Sequence, residues 1–346
     1  MIDTLQRKSR IYAIDLMRAI CILYIVGFWH LLNYTKAIPG YNNLITERLT
    51  IIVLGLFTLL SGYLMGTRVN GLERIEFVQF YRARMFRIFP PFLFALILFY
   101  LMDISDPGKL IKAACLISMF SAPTPSTLWY IAMIMIFYLL APLLAAMSSD
   151  TRKYAAICAV ILTAILVYDK IFHSVDLRIA LYFLPFAIGI LFVRRGTLLY
   201  KINPLFFIFL LFLCATSVLI SLTSFASIPK KLLPLPLALF GPLVIFTVIM
   251  KGERRIGYSR IIGVISYASY FMFLFHRPVY IILKRMFFPA SLGLQVLYLL
   301  VVGLPSIVAA SWLGQKAYDR IMLNFSGCGM EKIPAQKAIV HQSSKS

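Results

Sequence analysis

Charged side chains are scarce in this sequence. Of its 346 residues, 14% are charged and 61% are hydrophobic, and the mean hydropathy is +0.88. A soluble domain is roughly 45–50% apolar and about 25% charged. A water-soluble fold of this length could not bury so much apolar surface. The composition therefore excludes a soluble globular protein and indicates that lipid is the solvent.

Acidic residues and paired cysteines are also lacking. Thirteen acidic residues stand against 34 basic ones, which gives a net charge of +21. In a soluble chain this surplus of positive charge would indicate a nucleic-acid partner. Here most of the positive charge falls in loops that are predicted below to be cytoplasmic, so we expect no nucleic-acid partner. The five cysteines occur singly, without a Cys-x-x-Cys pair. This pattern predicts neither a disulfide framework nor a metal site.

Long apolar runs fill most of the chain. A bilayer core of about 30 Å needs roughly 20 apolar residues per helix. The first run is too long for a cleavable signal peptide and reads as a membrane helix. We predict an all-α polytopic membrane bundle over residues 1–316 and a mobile cytoplasmic tail over 317–346. The predicted spans, about ten, are 11–33, 45–67, 86–104, 127–147, 154–169, 177–193, 204–224, 232–250, 261–283 and 292–316.

Lysine and arginine counts orient the bundle. With the N-terminus inside, the cytoplasmic segments hold 22 of these residues and the outer loops hold 10. Positive charge accumulates in the short cytoplasmic loops of membrane proteins. An even number of spans then returns the chain to the same side, so both termini are predicted to be cytoplasmic.

Few ionisable groups fall within the predicted spans, where such groups are usually functional. Asp15, Arg18 and His30 lie in the first span, and His276 and Arg277 lie in the ninth. Arg18 and His30 are twelve residues apart, or about 18 Å of helix rise, so Arg18 lies nearer the cytoplasm. Alternatively, His30 belongs to an interfacial aromatic belt with Trp29, and Arg18 snorkels and pairs with Asp15.

Three arginines, Arg82, Arg84 and Arg87, precede Pro90 at the predicted cytoplasmic mouth of the third span. Proline suits the first turn of a helix, and arginine binds phosphate through a planar set of donors. A cytosolic polyphosphate such as a nucleotide or coenzyme A would suit the cluster. The alternative is ordinary cytoplasmic charge that contacts anionic lipid.

The chain resembles the membrane acyltransferase-3 family, whose best-known members O-acetylate bacterial surface polysaccharides. The resemblance covers about residues 10 to 315 and five motifs in the family's order. They are Ile14-Asp15-Leu16-Met17-Arg18-Ala19-Ile20 followed by His30; Leu60-Ser61-Gly62-Tyr63-Leu64; Arg87-Ile88-Phe89-Pro90 with its preceding arginines; Leu128-Trp129-Tyr130 with Phe137-Tyr138-Leu139-Leu140-Ala141-Pro142; and Ile265-Ser266-Tyr267-Ala268-Ser269-Tyr270 with His276-Arg277-Pro278-Val279.

The resemblance implies transfer of an acyl group, with acetyl expected, from cytosolic acyl-CoA to a glycan or lipid-linked glycan across the bacterial inner membrane. His30 would be catalytic, as general base or covalent carrier, and Arg18 would stabilise the donor or developing charge. Arg82, Arg84 and Arg87 would hold the phosphates of coenzyme A. Acyl-CoA would be a substrate, and no permanently bound cofactor is expected. His276 and Arg277 would support the site.

Two features depart from the family pattern. Eleven residues separate Arg18 from His30, where relatives usually have ten. Twelve helical steps place two side chains about 120° apart, whereas eleven place them about 20° apart. Either a π-bulge near Gly27 restores a shared face, or the two residues do not cooperate. Ile134, Met135 and Ile136 also stand where many relatives carry acidic residues.

A secondary transporter or a lipid-linked glycan exporter is the alternative function. Such a protein also has many spans and few buried charges. It needs neither affinity for coenzyme A nor a histidine, so the arginine cluster together with His30 favours the transferase.

The predicted orientation can be tested by cysteine labelling. Residues near Arg74 and Lys337 should react only from the cytoplasm, and residues near Asn43 and Ile228 only from outside, because the lysine and arginine bias sets the orientation. Labelling of the loop around Arg74 from outside would reverse the orientation, and with it the side on which the donor binds.

Overall fold

The computed structural model describes residues 12–69, 74–194, 203–222, 230–252, 257 and 259–326. These residues form helices and loops, and no strand occurs among them. The helices are α1, Tyr12–Tyr24, extended by a π segment, Ile25–His30, and a 3-10 turn, Leu31–Tyr34; α2, Leu44–Val69; α3, Arg74–Leu101; α4, Pro107–Ala114; α5, Trp129–Met147; α6, Thr151–Phe172; α7, Arg178–Arg194; α8, Pro204–Leu222; α9, Leu235–Lys251; α10, Arg260–Met286; α11, Leu292–Tyr298, extended by a π segment, Leu299–Gly303; and α12, Leu304–Ser326.

The predicted all-helical architecture is confirmed for the described residues. Seven helical segments among them are long and apolar enough to cross a membrane. They are Tyr12–Tyr34, Leu44–Thr67, Val78–Leu101, Trp129–Met147, Thr151–Phe172, Pro204–Leu222 and Leu292–Leu323. The helices α7 and α9 are apolar but shorter. The helix α10 is not among the seven, and it carries His276. The count of ten spans and the orientation remain predictions.

The third helix differs from the sequence-based expectation. Pro90 was expected in the first turn of a helix, but α3 already begins at Arg74 and contains Pro90 in its interior. Proline has no backbone N–H, which leaves the carbonyl four residues earlier without its usual partner. That carbonyl belongs to Phe86, and it accepts a hydrogen bond from the Tyr318 hydroxyl of α12. The three arginines therefore lie within α3 and not before it.

Close packing between α2 and α7 depends on glycine. A Cβ atom at Gly62 would lie 2.0 Å from the Phe186 carbonyl oxygen, and one at Gly189 would lie 2.2 Å from the Leu59 carbonyl oxygen. Small residues permit this approach of two backbones, a common device where membrane helices pack. Gly62 belongs to the Ser-Gly-Tyr motif of the second span, so the motif has a packing role.

The helix α10 lies between α1, α3 and α12 and contacts all three. By contrast, α6 and α8 expose large apolar side chains, among them Ile171, Phe206 and Phe212, as expected of helices that face lipid. The last helix, α12, continues to Ser326. The rest of the predicted cytoplasmic tail, 327–346, lies outside the described residues.

Candidate functional site

Two polar pairs join α1 to α10. The Ser266 hydroxyl donates to Asp15 Oδ1 at 2.5 Å, and Arg18 Nη2 donates to the Ser269 hydroxyl at 2.8 Å. Asp15 and both serines are buried. On each helix the two bonded residues are three positions apart, and the later residue of α1 contacts the later residue of α10. The two helices therefore run in the same direction. This agrees with their predicted places as the first and ninth spans.

Two tyrosines in the same part of α10 form hydrogen bonds with other helices. The Tyr267 hydroxyl donates to Asp319 of α12. The Tyr270 hydroxyl donates to the Ile88 carbonyl of α3 at 2.6 Å. The Ser-Tyr-Ala-Ser-Tyr motif thus binds three helices. Ile88 directly follows Arg87. The Tyr270 bond therefore places this part of α3 next to the residue of α10 that Arg18 contacts, Ser269.

The three arginines of α3 face different surroundings. Arg84 lines a groove between α3 and α5 with Tyr81 and Tyr138. Arg82 is exposed, with its guanidinium 5.9 Å from the centre of the Phe86 ring. Two residues turn a helix by about 200°, so Arg82 and Arg84 project from nearly opposite sides of α3. A single phosphate group therefore cannot contact both arginines.

His30 and His276 form a hydrogen-bonded pair between α1 and α10. His276 Nε2 lies 2.8 Å from His30 Nδ1, and His276 Nδ1 lies 3.0 Å from the Met272 carbonyl oxygen. The rings are nearly parallel, with an interplanar angle of 5°. His30 is 9% exposed and His276 is fully buried, so this polar unit is held almost entirely by protein groups.

The chemistry of the partners determines the tautomers of the pair. A carbonyl oxygen only accepts, so His276 Nδ1 carries the hydrogen and Nε2 of the neutral ring carries a lone pair. The Nδ1–H of His30 then donates to His276, which leaves the lone pair of His30 on Nε2. That nitrogen can take up a proton or attack an acyl carbon. His276 would accept a hydrogen bond from the imidazolium that forms.

The extra residue between Arg18 and His30 is accommodated by a π segment. Ile25–His30 is π-helical and includes Gly27, which confirms the first of the two alternatives. Its i→i+5 bonding places one more residue in a turn, so Arg18 and His30 both reach α10. The Tyr280 hydroxyl supports this segment by donating to the Val26 carbonyl at 3.1 Å.

The sequence predicts only a supporting role for His276 and does not predict its contact with His30. The available signal was that these are the only two histidines in predicted spans. Distance along the chain concealed the contact, since 246 residues separate the two rings. The contact also means that a substitution at His276 is not independent of His30.

A polar cluster around the start of α7 was also missed. Arg178 and Thr124 both donate to the Asp176 carboxylate, and the Arg178 guanidinium lies 3.8 Å from the centre of the Trp129 ring. Burial raises the pKa of Asp176, but hydrogen bonds and the charge of Arg178 outweigh it and leave the pKa below its usual value. Tyr130, which follows Trp129 in α5, packs against Phe273 of α10, with 5.2 Å between the ring centres. The cluster therefore braces the helix that carries His276.

The chain matches a family model described as an acyltransferase domain over residues 11–315. The chain belongs to the membrane acyltransferase-3 family. Among curated proteins and solved structures, none matches it. Membership in the acyltransferase-3 family indicates a multi-pass membrane protein that transfers acyl groups. It favours a transferase over a transporter.

The hydrogen bond between the histidines predicts different effects for two substitutions at His276. His276→Leu removes the acceptor for His30 Nδ1–H and should lower the rate of acyl transfer by about 10²-fold or more. His276→Gln offers an amide oxygen near the position of Nε2 and should retain much more activity. The comparison requires acyl-transfer rates of purified variants with equal expression and size-exclusion profiles. Near-normal rates in both variants would show that His276 only fills space.

Proposed function

We propose that the protein is an integral membrane O-acyltransferase. It moves an acyl group, with acetyl expected, from cytosolic acyl-CoA to a hydroxyl of a surface glycan or its lipid-linked precursor. The proposed location is the bacterial inner membrane, with the acceptor on the outer face. The observation that carries the proposal is the buried His30–His276 pair, which leaves Nε2 of His30 as the basic nitrogen.

In one form of the reaction, His30 acts as a general base. Nε2 takes the proton of the acceptor hydroxyl as its oxygen bonds to the acyl carbon, and the thioester carbon–sulfur bond breaks. His30 then returns the proton to the sulfur of coenzyme A. Arg18 would stabilise negative charge on the donor or the reacting acyl group.

In the other form, His30 carries the acyl group. Nε2 attacks the thioester carbon and the carbon–sulfur bond breaks, so coenzyme A leaves as a thiolate and His30 becomes an acyl-imidazolium. The acceptor oxygen then bonds to the acyl carbon as the bond to Nε2 breaks, which restores the neutral ring, and the hydroxyl proton passes to the thiolate of coenzyme A. Both forms need the lone pair on Nε2 of His30, so the tautomer of His30 is compatible with either one.

The arrangement of α1, α3 and α10 supports delivery of the donor from the cytoplasmic side. Arg18 and the carbonyl of Ile88, the residue after Arg87, contact α10 at neighbouring residues, Ser269 and Tyr270. His30 meets the same helix further along, at His276. The phosphates of coenzyme A would bind at Arg82, Arg84 and Arg87, and its acylated arm would extend along α10 towards His30.

Replacing Arg82, Arg84 and Arg87 together by glutamine should weaken acetyl-CoA binding. A charged hydrogen bond is worth about 1.5–3 kcal/mol, so even one lost contact predicts about tenfold lower affinity. Calorimetric titration of the purified protein in detergent measures the change. Arg152 and Lys153, an exposed basic pair on α6, replaced by glutamine provide the matched control. Unchanged affinity in the triple variant would leave the cluster with a role in orientation and lipid contact.

His30→Ala should abolish detectable acylation of the surface glycan, because a positioned acid–base group contributes about 10²–10⁴-fold in rate. Acyl content of the glycan and release of free coenzyme A by purified protein are the two measurements. His173→Asn is the matched control, since His173 is exposed and asparagine tolerates its left-handed backbone. Near-normal acylation in His30→Ala would refute the mechanism but not the enzyme class.

Radiolabelled acetyl-CoA without acceptor separates the two forms of the reaction. Label retained on the unsubstituted protein and absent from His30→Ala supports the covalent carrier. Release of coenzyme A only when acceptor is present, with no labelled protein, supports the general base.

A further inference from the structure

Arg277 is a cation without a counterion at the candidate site. It directly follows His276 on α10, and its Nε is buried with no hydrogen-bond partner in the described part of the chain. No carboxylate among the described residues forms an ion pair with it. Leaving a buried guanidinium nitrogen without a hydrogen-bond partner is unfavourable. Ionisable groups at membrane depth are retained mainly where they bind something.

The groups around Arg277 are neutral or positive. Its charge interacts with the phenols of Tyr34 and Tyr41, which follow His30 along the chain, and with both histidines. Lys284 lies two helical turns further along α10, and its Nζ donates to the Tyr34 carbonyl at 3.0 Å. The described surroundings thus supply aromatic and hydroxyl contacts for a sugar, together with a positive field, and no carboxylate among the described residues pairs with Arg277.

We propose that Arg277 binds an oxyanion on the acceptor glycan, a carboxylate or a phosphate, and so selects anionic acceptors for acylation at His30. The proposal rests on the proposed function above. The planar guanidinium presents paired donors that match either oxyanion. Its place beside His276, at the predicted outer end of the site, assigns it to the acceptor, since the donor phosphates are expected at the opposite end of α10.

The test uses the purified full-length protein in detergent and three probes. They are tetragalacturonate, which carries carboxylates; glucose 1-phosphate, which carries a phosphate; and maltotetraose, which is neutral. We expect at least one anionic probe to bind about tenfold or more tightly than maltotetraose, as expected for a charged hydrogen bond. The anionic probe that binds more tightly identifies the carboxylate or the phosphate as the recognised group.

Arg277→Gln should abolish this preference, and Arg277→Lys should retain part of it because a point charge remains. Lys231→Gln, which removes an exposed cation outside the predicted spans, should leave the preference unchanged. Comparing binding of charged and neutral probes within each variant separates recognition from general destabilisation. The lysine variant keeps the test valid if the glutamine variant folds poorly.

Two results would overturn the proposal. One is equal or absent binding of all probes by the unsubstituted protein. The other is an undiminished preference in Arg277→Gln. If that variant also loses turnover towards every acceptor, the result would place Arg277 at the reacting carbonyl. Acetyl-CoA binding, measured on the same preparations, tests the proposed function separately. Its absence would refute acyl-CoA as the donor and leave an observed charge preference standing.

Discussion

The candidate site depends on one hydrogen bond, between His30 and His276. Polar groups at membrane depth must be satisfied within the protein, because lipid offers no partner. The Met272 carbonyl, His276 and His30 meet this requirement in sequence, each donor facing one acceptor. The same chain of bonds leaves a single basic nitrogen, Nε2 of His30. A structural requirement of the bilayer thereby produces a chemically defined base or nucleophile.

The remainder of the bundle positions α10 relative to that bond. The paired contacts of Asp15 and Arg18 with Ser266 and Ser269 align α1, and the π segment brings His30 onto the same helix. On the other side, Tyr270 and Tyr318 tie α10 and α12 to α3. A ligand that enters beside the arginines of α3 would therefore reach His30 along a single helix. Arg277, next to His276, extends the same line towards the acceptor.

Local patterns predicted some of these features and misplaced others. The shift in spacing between Arg18 and His30 made a π-bulge near Gly27 one of two alternatives, because the angle between side chains along one helix is a local quantity. The position of Pro90 in a first turn was wrong, since a proline signal describes only its own helix. The hydroxyl that satisfies the Phe86 carbonyl comes from Tyr318, 232 residues away. The bond between Thr124 and Asp176, 52 residues apart, was missed for the same reason.

The sequence by itself determined that this protein is helical, that it belongs in a membrane and that its motifs follow the acyltransferase-3 order. Hydropathy is a property of consecutive residues, and motifs can be read without coordinates. Only the tertiary structure decided that His276 is the partner of His30, which tautomer His30 adopts and that no described residue supplies a counterion for Arg277. Each of these depends on which atoms of distant segments come within hydrogen-bonding distance, and helix packing determines that.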